Sequence, residues 1–291
     1  MTALVLQITF DALLLGGLFA IGGLGFALIW GVLNVLNIAF GAFIMIGGYL
    51  SFYLWQAGLD PLATIPITMA IMFVMGWLTQ RLLIDHVAGG PSSLGVAFTY
   101  GLNLALIGLA LYLFSADYRS IILPDYLQGY VSLGGAKLTY VRVITAGIAL
   151  LLTGAMWWAM DRTELGAAIR ATRLDREAAQ LVGIRVRSVF NITTGIGAAL
   201  AGAMGALIAL VYSASPANGD QYLLQVIIVT VLGGLGSFVG PLLGALLLGL
   251  ASSIVANLWG TTYAMLIGTL LVLIVLVVRP SGLLGKRYYE S

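Results

Sequence analysis

The sequence predicts an all-α fold, a polytopic transmembrane helix bundle of about eight to ten membrane segments, one of them broken or re-entrant at a glycine-rich stretch. Composition is the first reason, because 61% of the 291 residues are hydrophobic and 8% are charged, whereas a soluble domain is about 25% charged. Clustering of the charges is the second reason. It leaves six stretches without Asp, Glu, Lys or Arg, each long enough for a spanning helix of about 17 to 25 residues. These stretches are residues 12–59, 61–80, 86–116, 143–160, 188–219 and 221–278.

The spans are helices rather than strands. Backbone groups that face lipid need internal hydrogen-bond partners, which only helices and closed barrels supply. Continuous apolar runs of this length exclude a barrel, whose strands alternate over about 10 residues. We expect a single transmembrane domain over residues 1–291, with helices near residues 5–30, 38–57, 62–84, 93–114, 140–160, 188–212, 221–235, 240–257 and 261–278.

The few basic residues predict the orientation of the chain. With loops assigned alternately to the two sides of the membrane, one side receives ten Lys and Arg residues and the other receives three. The richer side carries Arg81, the loop at residues 161–187 and the C-terminal tail. Because Lys and Arg accumulate in cytoplasmic loops, we expect the C-terminus inside the cell and the N-terminus outside.

The glycine-rich stretch Gly233-Gly234-Leu235-Gly236-Ser237 divides the segment at residues 221–257. Both flanking Arg-rich segments are assigned to the cytoplasm, so an even number of crossings lies between them. One long helix over residues 221–257 gives three crossings, whereas two short helices give four and a re-entrant hairpin from outside gives two. Both even solutions leave irregular backbone at membrane depth, which is tolerated only when buried in protein or lining an aqueous cavity.

The loop at residues 161–187 is the only long polar segment assigned to the cytoplasm, and its pattern predicts an amphipathic helix. Asp161 and Thr163 are candidate N-caps, and Gly183 suits the C-terminal stop. The apolar stripe of such a helix needs cover. Lipid head groups are one alternative, and a soluble partner is the other.

Several kinds of chemistry are missing. The phosphate-binding pattern GxxxxGK[ST] does not occur, so the chain is not itself an ATPase of that class. The chain has no cysteine and one histidine, His86, which excludes disulfides and Cys- or His-cluster metal sites. No arrangement of nucleophile and base favours a membrane enzyme, and nothing suggests nucleic acid as a partner. We expect no catalytic residue, cofactor or metal site in this chain.

The acidic residues bear on ion coupling. All of them are assigned to segment ends or loops, including Asp11 in the first turns of the first helix and Asp220 beside the segment at residues 221–235. Proton-coupled carriers keep an ionisable group at membrane depth, so this assignment argues against a proton relay. A sodium site built from backbone carbonyls stays open.

Uncharged polar residues inside the apolar runs are candidates for a solute path. An amide or hydroxyl in hydrocarbon is costly unless it is paired, so each of these side chains either bonds across helices or lines water. The candidates flank the predicted helix breaks or share one face of the fourth helix. They are Asn34, Asn37, Tyr100, Asn103, Thr230, Gly233, Gly234, Gly236 and Ser237.

Three stretches carry a resemblance to a known family. The first is GLFAIGGLGFALIWGVLNVLNIAFGAFIMIGGY at residues 17–49, the second is TELGAAIRATRLDREAAQLVGIRV at residues 163–186, and the third is VLGGLGSFVGPLLGALLLG at residues 231–249. They resemble the N-terminal segment, the cytoplasmic coupling loop and the glycine-rich signature of the membrane permeases of branched-chain amino acid ABC importers, of the LivH type. The first stretch departs from the family pattern, since Phe40 and Ala42 replace the usual histidine and acid.

The resemblance implies a coupling role for the loop at residues 161–187. Glu177, Ala178, Ala179 and Gly183 keep the EAA-x3-G spacing of importer permeases, although the later Leu-Pro of the fuller motif is missing. With Arg173, they are the residues that the resemblance assigns to contact with an ATPase. Closure of the ATPase would move this loop and re-aim the helices near the glycine-rich break, in an alternating-access cycle.

The resemblance also implies an assembly. The partners would be a second, homologous permease forming a heterodimer, two cytoplasmic ATPase subunits that bind ATP and magnesium, and an extracytoplasmic solute-binding protein. The place would be the bilayer of a bacterial cytoplasmic (inner) membrane, and the cargo branched-chain or other small neutral or polar amino acids. Urea, short amides and small carboxylates stay open as cargo because of Phe40 and Ala42. A sodium-coupled carrier and a structural or regulatory membrane subunit are the competing classes.

Overall fold

In the computed structural model, the described residues are 2–86, 92–133, 136–216, 218–234, 237, 239–260 and single positions between 263 and 284. Within them the chain is a helix bundle with one small β-hairpin, which confirms the predicted fold class. The helices and strands are α1 Thr2–Leu33, α2 Phe40–Gln56, α3 Thr64–Leu82, α4 Ser92–Phe114, α5 Asp125–Gln128, β1 Tyr130–Leu133, β2 Ala136–Thr139, α6 Tyr140–Arg162, α7 Glu164–Leu174, α8 Arg176–Leu181, α9 Val186–Val211, α10 Asn218–Gly233 and α11 Gly240–Trp259.

Eight of the predicted helices correspond to observed ones, namely α1, α2, α3, α4, α6, α9, α10 and α11. Among the described residues, six of these are long and apolar enough to cross a membrane: α1, α3, α4, α6, α9 and α11. The remaining predicted helix, at residues 261–278, lies largely outside the described residues. That the whole chain forms a single domain stays a prediction.

The antiparallel helices α1 and α9 form the centre of the bundle. Residues 16–29 of α1 and 197–210 of α9 are all buried, as expected for helices that are apolar on every side. Small residues let the two backbones approach, since a Cβ at Gly25 would lie 3.0 Å from the Gly197 carbonyl oxygen. Helices α2 and α3 cover α9, whereas α6, α10 and α11 cover α1.

The two ends of the bundle differ. At one end, hereafter the α7–α8 end, α1, α3 and α6 finish and the short helices α7 and α8 begin. The other end, hereafter the hairpin end, carries α5 and the antiparallel pair β1–β2. There the Tyr126 hydroxyl donates to Asp60 Oδ2 at 2.5 Å. This hydrogen bond stabilises the ionised carboxylate and lowers the pKa of Asp60.

Helices α10 and α11 form a tight antiparallel hairpin. A Cβ at Gly233 would collide with the Gly240 backbone, and one at Gly244 would collide with the Val229 carbonyl oxygen. The structure therefore rules out one long helix over residues 221–257, as the parity of crossings predicted. With 16 residues, α10 is about 24 Å long, which is shorter than the roughly 30 Å hydrocarbon core.

Candidate functional site

Three helices meet at Asn103, the midpoint of the 23-residue helix α4. Its Oδ1 accepts a hydrogen bond from the Ala42 backbone N–H at 3.2 Å, in the first turn of α2. Its Nδ2 donates to Asp220 Oδ1 at 3.0 Å, in the first turn of α10. The starts of α2 and α10 are therefore level with the midpoint of α4, a helix long and apolar enough to cross a membrane.

The irregular backbone between α1 and α2 is stabilised by α4. Helix α1 ends at Leu33, and Asn34 takes a left-handed φ of 55°, a conformation that asparagine tolerates better than most residues. Thr99 on α4 accepts from the Ile38 N–H at 3.3 Å and lies 3.1 Å from the Leu36 carbonyl oxygen. These bonds satisfy backbone groups that would otherwise be unpaired at membrane depth.

Asn37 lies within this irregular segment and is 3% exposed. Both polar atoms of its amide are buried, and neither has a hydrogen-bond partner in the described part of the chain. An unpaired buried amide is destabilising. The structure thus leaves one donor and one acceptor unused beside the first turn of α2.

Asp220 lies at the end of a helix, as assigned from the sequence, in the first turn of α10. Its carboxylate is level with the midpoint of α4, and the residue is exposed. No ion pair in the described ranges includes Asp220. This helix end is level with the middle of α4, so a position at the end of a segment does not exclude a position deep in the bundle. An ionisable group level with the middle of a spanning helix is the kind of group that a proton relay needs.

The predicted path residues divide into two groups. Asn37 and Asn103 lie near the start of α2, whereas Tyr100, one turn before Asn103 on α4, is exposed. Thr230 is buried, and its hydroxyl donates within α10 to the Val226 carbonyl oxygen at 2.8 Å and lies 3.4 Å from the Gly23 carbonyl oxygen of α1. Asn34 is exposed at the α7–α8 end.

The second group belongs to the α10–α11 turn. Gly233 and Gly234 are buried, and residues 282–284 pack on them through the Leu284 N–H, which donates to the Gly233 carbonyl oxygen at 3.0 Å. The Ser237 hydroxyl accepts a hydrogen bond at 3.0 Å from the N–H of Gly240, the first residue of α11. Gly236 and the side chain of His86 lie outside the described residues. A solute path through this group stays a prediction.

The segment at residues 161–187 contains two helices, whereas the pattern predicted one. Thr163 is the N-cap of α7, accepting from the Gly166 N–H at 3.1 Å. Asp175 interrupts the helix and caps α8, accepting from the N–H groups of Glu177 at 2.9 Å and Ala178 at 3.1 Å. An Asp carboxylate that bonds free N–H groups competes with continued helix. Gly183, with φ of 86°, ends the segment as predicted.

The apolar residues of α7 and α8 face two ways. Ile169 and Ala179 are buried toward the bundle. Leu174, Leu181 and Val182 are exposed, and Leu181 is exposed by 89%. These three exposed residues form the apolar tip of the segment. Among the residues predicted to contact an ATPase, Glu177, Ala178 and Gly183 are exposed beside this apolar tip. Ala179 is buried, and the Arg173 side chain packs against Gly31.

Arg176, at the start of α8, makes a contact that the sequence did not predict. Its Nη2 donates to the carbonyl oxygens of Val32 at 3.0 Å and Leu33 at 2.9 Å, in the last turn of α1. Its guanidinium also lies 5.1 Å from the centroid of the Phe190 ring on α9. A cation at a helix C-terminus stabilises the unpaired carbonyls and the helix dipole. Arg176 therefore ties the α7–α8 segment to both central helices.

Known proteins match this chain along almost its full length. The family described as "Branched-chain amino acid transport system / permease component" matches residues 8–276. The high-affinity branched-chain amino acid transport system permease protein BraD of Pseudomonas aeruginosa is 28% identical over 98% of this chain and 97% of its own length. The corresponding protein LivH of Escherichia coli is 27% identical with the same coverage.

A sugar permease matches over a shorter region. The fructose import permease protein FrcC of Rhizobium meliloti is 35% identical over 50% of this chain and 42% of its own length. The family match covers most of the chain, including the segment from α1 to α11 that builds the site. The chain belongs to the family of permease components of branched-chain amino acid transport systems.

Proposed function

We propose that this chain is a membrane-spanning permease subunit of an ATP-driven importer for amino acids, branched-chain or other small neutral or polar ones. The match to the family over residues 8–276 is the observation that carries the proposal. The α7–α8 segment supports it, because it presents the apolar side chains of Leu174, Leu181 and Val182 beyond the bundle. An exposed apolar tip at the end of a membrane protein suits docking to a soluble partner.

The proposed assembly contains two such permeases as a heterodimer, two ATPase subunits and an extracytoplasmic solute-binding protein. ATP and magnesium would bind to the ATPase subunits, and this chain would hold no cofactor of its own. In a bacterial cytoplasmic membrane, the α7–α8 end would face the cytoplasm, since that end carries most of the arginines. The N-terminus would lie outside and the C-terminus inside.

Replacing Gly183 with arginine tests the docking role of α8. Gly183 has a positive φ and nothing within 4 Å of a Cβ at its position, so the substitution strains the end of α8 without filling the core. A side chain in the left-handed region costs about 1 to 2 kcal/mol, which corresponds to roughly tenfold in an equilibrium. We expect at least a roughly tenfold loss of ATP-driven uptake in proteoliposomes containing the complete importer.

Gly58→Arg is the matched control. Gly58 also has a positive φ, of 97°, and nothing within 4 Å of a Cβ, but it lies between α2 and α3 at the hairpin end. This variant should keep uptake close to that of the original protein. Equal losses in the two variants would contradict a docking role for α8, since the defect would then be general strain.

The solute path can be tested by cysteine scanning, in which this chain gives no background because it contains no cysteine. We expect a water-soluble maleimide to label cysteines at Asn37, Tyr100 or Asn103 during transport, since these residues cluster at mid-depth. Thr230 is a further scanned position. Ala105 is the control, an exposed residue two positions after Asn103 on the same spanning helix. Protection at all four test positions would count against the path.

A second candidate function has one specific observation in its favour. Asp220 is an ionisable group at membrane depth, as ion-coupled carriers require. A secondary carrier would take up solute in response to a sodium or proton gradient, without ATP and without a partner subunit. Uptake by the purified single chain under such a gradient would favour this alternative over the ATP-driven importer.

A further inference from the structure

We propose that Asp220, Asn103 and the start of α2 form a transient binding site for the two charges of a zwitterionic amino acid. The Asp220 carboxylate would receive the ammonium group. The amide of Asn37, at the positive end of the α2 dipole, would receive the solute carboxylate. This inference rests on the proposed function, since it names the groups through which an amino acid permease would contact its cargo.

Asp220 is exposed at a level where a carboxylate is unusual. Its partner Asn103 is the midpoint of a spanning helix, and a carboxylate at that depth is strongly disfavoured next to lipid. The amide of Asn103 satisfies one carboxylate oxygen but contributes no positive charge. Because Asp220 is exposed within the single chain, it requires water, a partner subunit or a cationic ligand. A site that binds the ammonium group of a solute during transport meets this requirement.

The start of α2 provides the groups for the solute carboxylate. The N–H groups of Phe40 to Phe43 are already bonded, to backbone carbonyls and to Asn103 Oδ1, but the positive end of the α2 dipole still favours an anion beside it. Asn37 adds an independent observation, because its amide is 3% exposed and has no partner among the described residues. A solute carboxylate would accept the hydrogen bond that the Asn37 Nδ2 does not make in this structure.

The Asp220 carboxylate and the positive end of α2 lie close together. A Cβ at Gly41 would lie 2.8 Å from the Gly219 carbonyl oxygen, so the first turns of α2 and α10 touch. Asn103 bonds to both turns at once. Asp220 and the α2 N-terminus therefore lie on the two sides of one contact, with a negative group beside a positive one. A zwitterion is the ligand with the complementary pair.

The same arrangement selects against other small solutes. The Asp220 carboxylate would repel a simple carboxylate anion, while urea and neutral amides carry no formal charge for either half of the site. The exposed Tyr100 side chain lies one turn from Asn103 on α4. It offers an accessible position from which the occupancy of the site can be followed.

Asp220→Asn tests the site, because it keeps the shape and the hydrogen bond to Asn103 but removes the charge. The measurement is ATP-driven uptake of radiolabelled leucine by proteoliposomes containing the complete importer. We expect uptake to fall by about tenfold or more, with ATPase activity of the complex retained. Asp125→Asn, an exposed acid of α5 at the hairpin end, is the control and should transport normally.

A second measurement covers the case in which Asp220→Asn does not assemble. In a Tyr100→Cys chain, leucine should slow labelling by a water-soluble maleimide, and Asn37→Asp should abolish this protection by repelling the solute carboxylate. Normal uptake by Asp220→Asn, or full protection in the presence of Asn37→Asp, would overturn the proposed site. Failure of the unmodified importer to take up leucine with ATP would instead overturn the proposed function.

Discussion

Replacing Arg176 with alanine is expected to uncouple ATP hydrolysis from transport. The side chain satisfies two carbonyl oxygens in the last turn of α1 and lies over the ring of Phe190. Charge-assisted hydrogen bonds of this kind contribute about 1.5 to 3 kcal/mol each, and the helix dipole adds roughly 0.3 to 1 kcal/mol. Without them, a displacement of α8 would no longer reach α1, the helix against which the α10–α11 hairpin packs.

The measurement is the number of solute molecules transported per ATP hydrolysed by the reconstituted importer. For Arg176→Ala we expect this ratio to fall by about tenfold or more while hydrolysis continues. Arg176→Lys should recover part of it, because a lysine restores the positive charge but cannot reproduce the planar guanidinium. Arg185→Ala, at an exposed arginine whose side chain makes no hydrogen bond or ion pair among the described residues, should leave the ratio unchanged. An unchanged ratio in Arg176→Ala would show that another contact transmits the movement.

Replacing Gly205 with alanine is expected to cause the largest loss of stability. A Cβ at this position would collide with the Ile44 carbonyl oxygen and lie 2.7 Å from the Gly48 backbone nitrogen. Both neighbours are backbone atoms of α2, so no side-chain rotation relieves the clash. Helix α2 would have to move away from α9 and from the bonds that hold its first turn. We expect a loss of about 3 kcal/mol or more.

The measurement is thermal unfolding of the purified protein in detergent, followed by size-exclusion chromatography of heated samples. Gly147→Ala on α6 is the matched control, because nothing lies within 4 Å of a Cβ at that position. Alanine favours a helix over glycine by about 1 kcal/mol, so the control should unfold at the same or a slightly higher temperature. A Gly205→Ala protein as stable as the Gly147→Ala protein would mean that α2 and α9 do not pack this closely.

The helices and their limits were largely predictable, for local reasons. Hydropathy located eight helices, because a helix inside a membrane needs a long uncharged run of apolar residues. These helices are α1, α2, α3, α4, α6, α9, α10 and α11. Capping chemistry also acts locally, which is why Thr163 and Gly183 were identified as the limits of the polar segment. The division at Gly233 followed from counting charges on the two sides of the membrane. In the polar segment at residues 161–187, the interruption at Asp175 was missed, and the candidate N-cap Asp161 was wrong because it lies within α6.

What the sequence by itself determined is therefore the all-α membrane fold, the positions of eight helices, the break at Gly233 and the polar segment, since each depends on residues that are neighbours in the chain. Only the tertiary structure decided the depth of Asp220, the meeting of α2 and α10 at Asn103, and the contact between Arg176 and α1. These contacts join residues 61 to 144 positions apart. The depth of a helix terminus is set by the neighbouring helices that satisfy its backbone groups, and hydropathy along one segment carries no information about those neighbours.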